Sequence, residues 1–250
     1  MRIFQKYAFK VGANGSGYVG IDFGNILLDG IDVGYTVAYW VKFVNMSNPD
    51  YNNYVQPISF GDCSQTGMLI EEDGTLNVSA STILGSWDRR YWIGYADFGS
   101  WNFIVGTFKI DYDNGVSKLA IYKDGMLLGE SSYDNLVPMK KSYVKVNMNG
   151  GNTVIERYYT LGEIRVYNRP LTEKEIVYLY KGGHIEDGLV FWLYPNEEDV
   201  VLDDDGQTVL QVTERINGYV GTAYNGVKLV DGKDIDQLQK TKKVLVVKRV

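Results

Sequence analysis

Cysteine and histidine are nearly missing: Cys63 and His184 are single in 250 residues. One cysteine makes no intrachain disulfide and no thiolate cage for zinc. One histidine leaves most nucleophile–histidine pairs without a member, and there is no G-x-S-x-G elbow. No window approaches 18 consecutive apolar residues, so no membrane insertion is expected. The opening MRIFQKYAFKVG lacks the apolar core and small-residue cleavage site of a signal peptide. That reading expects a chain that is cytoplasmic or incorporated into a virus particle. Positive charge is not in excess either. Lys and Arg number 25 against 31 Asp and Glu, a net charge of −6, which gives no reason to expect a nucleic-acid groove.

What is abundant points to β structure. The chain carries 20 Tyr and 28 Gly but 5 Pro, the composition of strands joined by glycine turns. A chain of this length buries roughly 70–75% of its unfolded surface and needs no covalent staples. Residues 101–130, WNFIVGTFKIDYDNGVSKLAIYKDGMLLGE, read as a three-strand meander. Trp101 to Phe108 is apolar at nearly every position, as a strand buried on both faces would be. Asn114-Gly115 is expected to supply two positive-φ positions, and Asp124-Gly125 the next turn. Between them, Leu119 and Ile121 share one face of a strand and Ala120 and Tyr122 the other.

The remaining segments follow the same logic. Gly15-Ser16-Gly17-Tyr18-Val19-Gly20 matches the dinucleotide pattern G-x-G-x-x-G, but Ile21-Asp22-Phe23-Gly24 cannot open the helix that the pattern needs, so a hairpin turn is expected. YTVAYWVKF, 35–43, alternates with aromatic residues on both faces and belongs in the middle of a sandwich. Strands are also expected at 55–60, 68–70, 77–79, 142–148 and 154–159. In 161–183, Ile164 and Val166 mark a half-buried strand, and Thr172 with Glu175 forms a capping box. Ile176, Leu179 and Tyr180 then give the buried stripe of one short helix, 172–181, which stops at Gly182-Gly183.

Three of these pieces resemble one family. The Trp strand, hairpin, aliphatic-Tyr strand and Asp-Gly turn of 101–130 are similar to the concanavalin A-like, laminin G-like jelly roll. YTVAYWVKF resembles the early "tisaWvk" strand of laminin G-like domains, and VYNRPLTEKEIVYLY their C-terminal "vYnraLt" strand and "eEi..ly" helix. The resemblance covers roughly 1–183 and implies an all-β, antiparallel β-sandwich. GLVFWLY, 188–194, and 216–232 resemble pieces that usually begin such a domain. They start a truncated second repeat or close the first sandwich in permuted order; the favoured division is 1–183 as the jelly roll and 184–250 as a small β module packed on it.

The resemblance also directs the search for chemistry. Many such domains hold calcium through an Asp ahead of an Asp-Gly turn, but counting back from Asp73-Gly74 reaches Thr66 or Gly67, so the ligand does not carry over. Asp62 lies near enough to stand in, so calcium stays a candidate cofactor. Asp203-Asp204-Asp205-Gly206 fails as an EF-hand loop, since positions 201 and 212 are Val, and reads as an acidic turn. Glycan-cleaving relatives place two acids at alternate strand positions; no Glu-x-Asp-x-x-Glu run exists here, so no enzyme is expected.

The most unusual stretch is 85–100, where Trp87, Tyr91, Trp92 and Tyr95 crowd among Asp88, Arg89, Arg90 and Asp97. One reading makes the aromatics core residues of another strand. A second makes them a loop that offers flat faces and hydrogen-bonding groups to a sugar, with Trp87, Arg90, Tyr91, Trp92, Tyr95 and Asp97 as ligand-binding residues. A third is a protein–protein hot spot. Two functions follow as expectations: a non-catalytic module recognising glycans or a glycoprotein surface, or a structural and interaction protein such as a virion surface or tail component. The second includes self-association through edge strands.

Overall fold

The computed structural model describes residues 6–14, 17–24, 26, 28–31, 34–43, 54–60, 67–71, 75–80, 89–95, 97, 99–133, 144–146 and 157–232. Its strands, in chain order, are β1 (Tyr7–Asn14), β2 (Gly17–Asp22), β3 (Gly34–Phe43), β4 (Tyr54–Phe60), β5 (Gly67–Glu71), β6 (Thr75–Ala80), β7 (Arg89–Tyr95), β8 (Trp101–Asp111), β9 (Val116–Lys123), β10 (Met126–Tyr133), β11 (Val144–Val146) and β12 (Arg157–Tyr167). A helix α1 (Glu173–Tyr180) follows. The chain continues through β13 (Leu189–Leu193), β14 (Val200–Leu202), β15 (Val209–Thr213), β16 (Val220–Tyr224) and β17 (Lys228–Asp231).

The strands make two antiparallel sheets, as the alternating sequence requires. Sheet A runs β10-β9-β8-β3-β12. Beyond β12, β1 pairs with its Arg157–Leu161 half and β13 with its Ile164–Tyr167 half, and β17 lies outside β1. Sheet B runs β7-β6-β5-β4-β11-β2-β16-β15-β14. The β1–β2 hairpin joins them, pairing Gly12–Asn14 with Gly17–Val19. The G-x-G-x-x-G match therefore lies between and within strands and opens no helix.

Between the sheets, Phe9, Val37, Tyr39, Ile104, Phe108, Ile121, Ile164 and Phe191 meet Ile21, Ile58, Val144 and Val212 in one core. The outer face of sheet A is apolar as well, through Trp40, Phe103, Val105, Ala120 and Tyr122. Helix α1 covers it, burying Ile176 and Leu179, while Tyr180 stacks on Trp40 and Phe103 at 5.9 and 6.0 Å. This is why β3 and β8 are aromatic or aliphatic on both faces: each is sandwiched between the core and the helix layer. The capping box is present. Thr172 Oγ1 accepts the Glu175 amide at 3.4 Å and Glu175 Oε2 accepts the Thr172 amide at 2.7 Å.

Two turn expectations separate. Asp124 and Gly125 both have positive φ, 53° and 81°, as the tight β9–β10 hairpin demands. In the longer β8–β9 turn Gly115 alone of its pair does, because the Asp111 carboxylate accepts the Asn114 amide and side chain and builds that turn another way. The boundary expected at residue 183 does not interrupt the sheets: β13, β16 and β17 hydrogen-bond to β12, β2 and β1. No helix among the described residues is long and apolar enough to cross a membrane.

Candidate functional site

The Trp- and Tyr-rich stretch is a strand over Arg89–Tyr95, and among the described strands β7 pairs with β6 alone, at one margin of sheet B. Arg90 stands opposite Ser79, Tyr91 opposite Val78, Trp92 opposite Asn77 and Tyr95 opposite Thr75. From Trp92 to Tyr95 the register slips by one residue, and Gly94 sits there with φ 71°. A glycine in this conformation at a slip is what a β-bulge uses to bend a strand. A Cβ on Gly94 would stand 2.5 Å from Leu128 Cδ1, so the β7 backbone lies directly against β10 of sheet A. Thus the β7 margin of sheet B meets the β10 margin of sheet A at Gly94.

Asp97 comes just beyond that bend, and Asn102 in β8 holds it. The buried Asn102 Oδ1 accepts the Asp97 amide at 2.8 Å. Its Nδ2 donates to the Asp97 and Ser100 carbonyls, both at 2.9 Å, and to Val41 O at 3.5 Å. The Asp97 side chain is 67% exposed, and its carboxylate lies 2.9 Å from the ammonium of Lys123, whose side chain is 15% exposed. Next to Lys123, Asp124 Oδ1 accepts the Phe103 amide at 3.1 Å while its own amide donates to Phe103 O at 2.8 Å. Side-chain-to-backbone bonds therefore fix the backbone of this corner, with the exposed Asp97 side chain past the end of an aromatic strand.

The structure gives the backbone placement of Arg90, Tyr91, Trp92 and Tyr95 in β7 and the full geometry of Asp97; Trp87 and Asp62 lie outside the described residues. Among the described residues no three His, Cys, Asp or Glu side chains gather as a metal site would need. The acidic turn 203–206 is closed on itself. Asp205 accepts the Gln207 and Thr208 amides and the Thr208 hydroxyl, and the hydroxyl foremost holds its carboxyl well below the usual range.

A second polar-aromatic cluster on sheet A escaped the sequence reading. Trp192 donates its indole N–H to Glu163 Oε2 at 3.1 Å, and that oxygen also accepts Arg165 Nε and Nη2 at 3.0 and 2.8 Å. Arg165 and Arg215 each stand 5.2 Å from the Trp192 ring, and Arg215 pairs with Asp199 at 2.6 Å. The His184 ring lies 4.9 Å from Trp192, and burial first, then Arg165, lowers its pKa. Each guanidinium is answered by a carboxylate and stacked on an indole, so the cluster binds β12 to β13 and the 215 turn. Glu163-x-Arg165 alternation was visible in sequence; that Trp192 faces Arg165 follows only from the β12–β13 register.

No protein-family model matches the chain, and no curated protein matches it. Solved structures match in fold. One is a candidate carbohydrate-binding protein from Bacteroides ovatus ATCC 8483, with a TM-score of 0.58 at 11% identity over 92% of this chain; the chain spans 60% of that protein's length. Another is the native heptameric SAP-like pentraxin of Limulus polyphemus, with a TM-score of 0.57 at 14% identity, covering 91% of this chain and 95% of that one. A third is botulinum neurotoxin type C, which depends on interaction with two ganglioside molecules to get into cells; its TM-score is 0.51 at 16% identity, over 69% of this chain and 42% of that one. These likenesses establish the fold as a jelly-roll-like β-sandwich related to the concanavalin A-like fold.

Proposed function

We propose that this chain is a non-catalytic module that binds glycans or a glycosylated surface through Trp87, Arg90, Tyr91, Trp92, Tyr95 and Asp97. The observation that carries it is the course of β7: at the margin of the described sheet B, a strand rich in Trp, Tyr and Arg is followed by Asp97, whose backbone Asn102 holds and whose side chain is exposed. Sugars have apolar C–H faces edged by hydroxyls, and aromatic rings beside hydrogen-bonding groups meet both. Two of the fold relatives, a candidate carbohydrate-binding protein and a ganglioside-dependent toxin, support the reading.

A glycan array probed with the purified chain, with and without calcium, tests the proposal and the Asp62 calcium expectation together. Binding is expected, and Trp92→Ala is expected to abolish it while leaving the melting transition nearly unchanged. A stability loss of roughly 3–5 kcal/mol would instead mark Trp92 as a core residue. Silence on the array under both conditions overturns the proposal.

A further inference from the structure

We infer that Asn102 is the positioning residue of this site, holding Asp97 so that its carboxylate accepts hydroxyl groups of an uncharged sugar. The inference rests on the glycan-binding reading above.

Two observations carry it. The first is how completely Asn102 is used. Its acceptor and its donors all go to backbone groups of residues 97, 100 and 41, from a side chain buried between the sheets. Asp97 and Ser100 are thereby tied to β3 and β8 before any ligand arrives. Between them, Gly99 has φ 75°, and a Cβ added there meets nothing within 4 Å. An exposed turn without such a tie must be ordered at the moment of binding, which weakens affinity; one already held does not.

The second observation is the order in which charges are presented. The Asp97 side chain is 67% exposed and that of its partner Lys123 15%, so the acceptor side chain is the one more open to an approaching ligand. A hydroxyl donates to its carboxylate oxygens. A sulfate or sugar carboxylate has no proton to donate to them.

The experiment compares glycans ending in uncharged hexoses or N-acetylhexosamines with the same cores bearing sialic acid or sulfate. Uncharged termini are expected to bind better. Asp97→Asn and Asn102→Ala are each expected to weaken binding about tenfold or more. Because Asn102→Ala removes buried hydrogen bonds and can compromise folding, Gly99 provides the independent variant. Gly99→Val strains the exposed turn and is expected to weaken binding with an unchanged melting temperature, whereas Gly99→Asn, which tolerates positive φ, binds like the native chain. Preference for charged termini, or full binding by both Gly99→Val and Asn102→Ala, overturns the inference. If Trp92→Ala abolishes binding while the Asn102 and Gly99 changes do not affect it, the glycan reading stands and this inference alone fails. A silent array removes both.

Discussion

At the residue scale, the capping box is a local device whose energetics can be separated from the fold. Glu175 accepts the Thr172 amide and also receives Arg169 Nη2 at 2.6 Å and Nη1 at 3.2 Å. Thr172→Ala should cost about 1 kcal/mol by denaturant titration, and Thr172→Ser or Asp almost nothing. The Arg169 hydrogen bond first, with help from Thr172, pulls the Glu175 pKa from 4.5 to about 2. A depressed carboxylate pKa stabilises the fold above its unfolded value, and that stability is lost as pH falls through the folded value. The melting temperature should therefore drop between pH 4.5 and about 2, and Glu175→Gln should flatten that part of the curve. An unchanged slope would show that other carboxylates control acid unfolding. The pair was readable from Thr172 and Glu175 at capping-box spacing; the role of Arg169 was not, because its contact depends on how the chain leaves β12.

At the element scale, α1 matters through the face it covers. Ile176 is fully buried and Leu179 nearly so, above a sheet surface containing Trp40 and Phe103. Ile176→Ala should destabilise by about 2–4 kcal/mol, read as a lower denaturation midpoint with unchanged slope. The β9–β10 hairpin packs on the same helix: a Cβ on Gly125, at φ 81°, would stand 3.2 Å from Tyr180 Cδ1. Gly125→Ala combines backbone strain with that contact and should cost about 1–2 kcal/mol. A neutral result would mean that the hairpin moves off Tyr180 without loss. Strand and helix were both legible here, since apolar period and capping are local. That the outer face of sheet A is a second core was implied by apolar residues on both faces of β3 and β8; which element covers it was not.

At the scale of the whole molecule, the last strands complete sheets begun by the first. β16 pairs with β2 and β17 with β1, and a Cβ on Gly221 in β16 would stand 2.7 Å from Ile21 Cγ2 in β2. Gly221→Ala should therefore overpack that junction and cost about 1–3 kcal/mol in a thermal or chemical melt. Truncation after Gly183 removes Phe191, Leu193, Val209 and Val212 from the core and leaves β1 and β2 with open edges. The expected product is aggregated or unfolded by sedimentation and circular dichroism. A soluble, cooperatively melting 1–183 would instead establish the first 183 residues as a self-sufficient domain.

Alternation, turn dipeptides and caps were enough to read an all-β chain with one helix, because each depends on residues within a few positions of one another. The candidate site was legible in part: Trp, Tyr and Arg crowd visibly around residue 90, and Asp97 follows them. Whether they form strand or loop was open, since an aromatic run with a glycine serves either. Pairing with β6, the bend at Gly94 against Leu128 and the grip of Asn102 on Asp97 decided the outcome. These contacts, like those of Trp192 with Arg165 and of β16 with β2, join parts of the chain by strand register, and register is set by the tertiary structure as a whole.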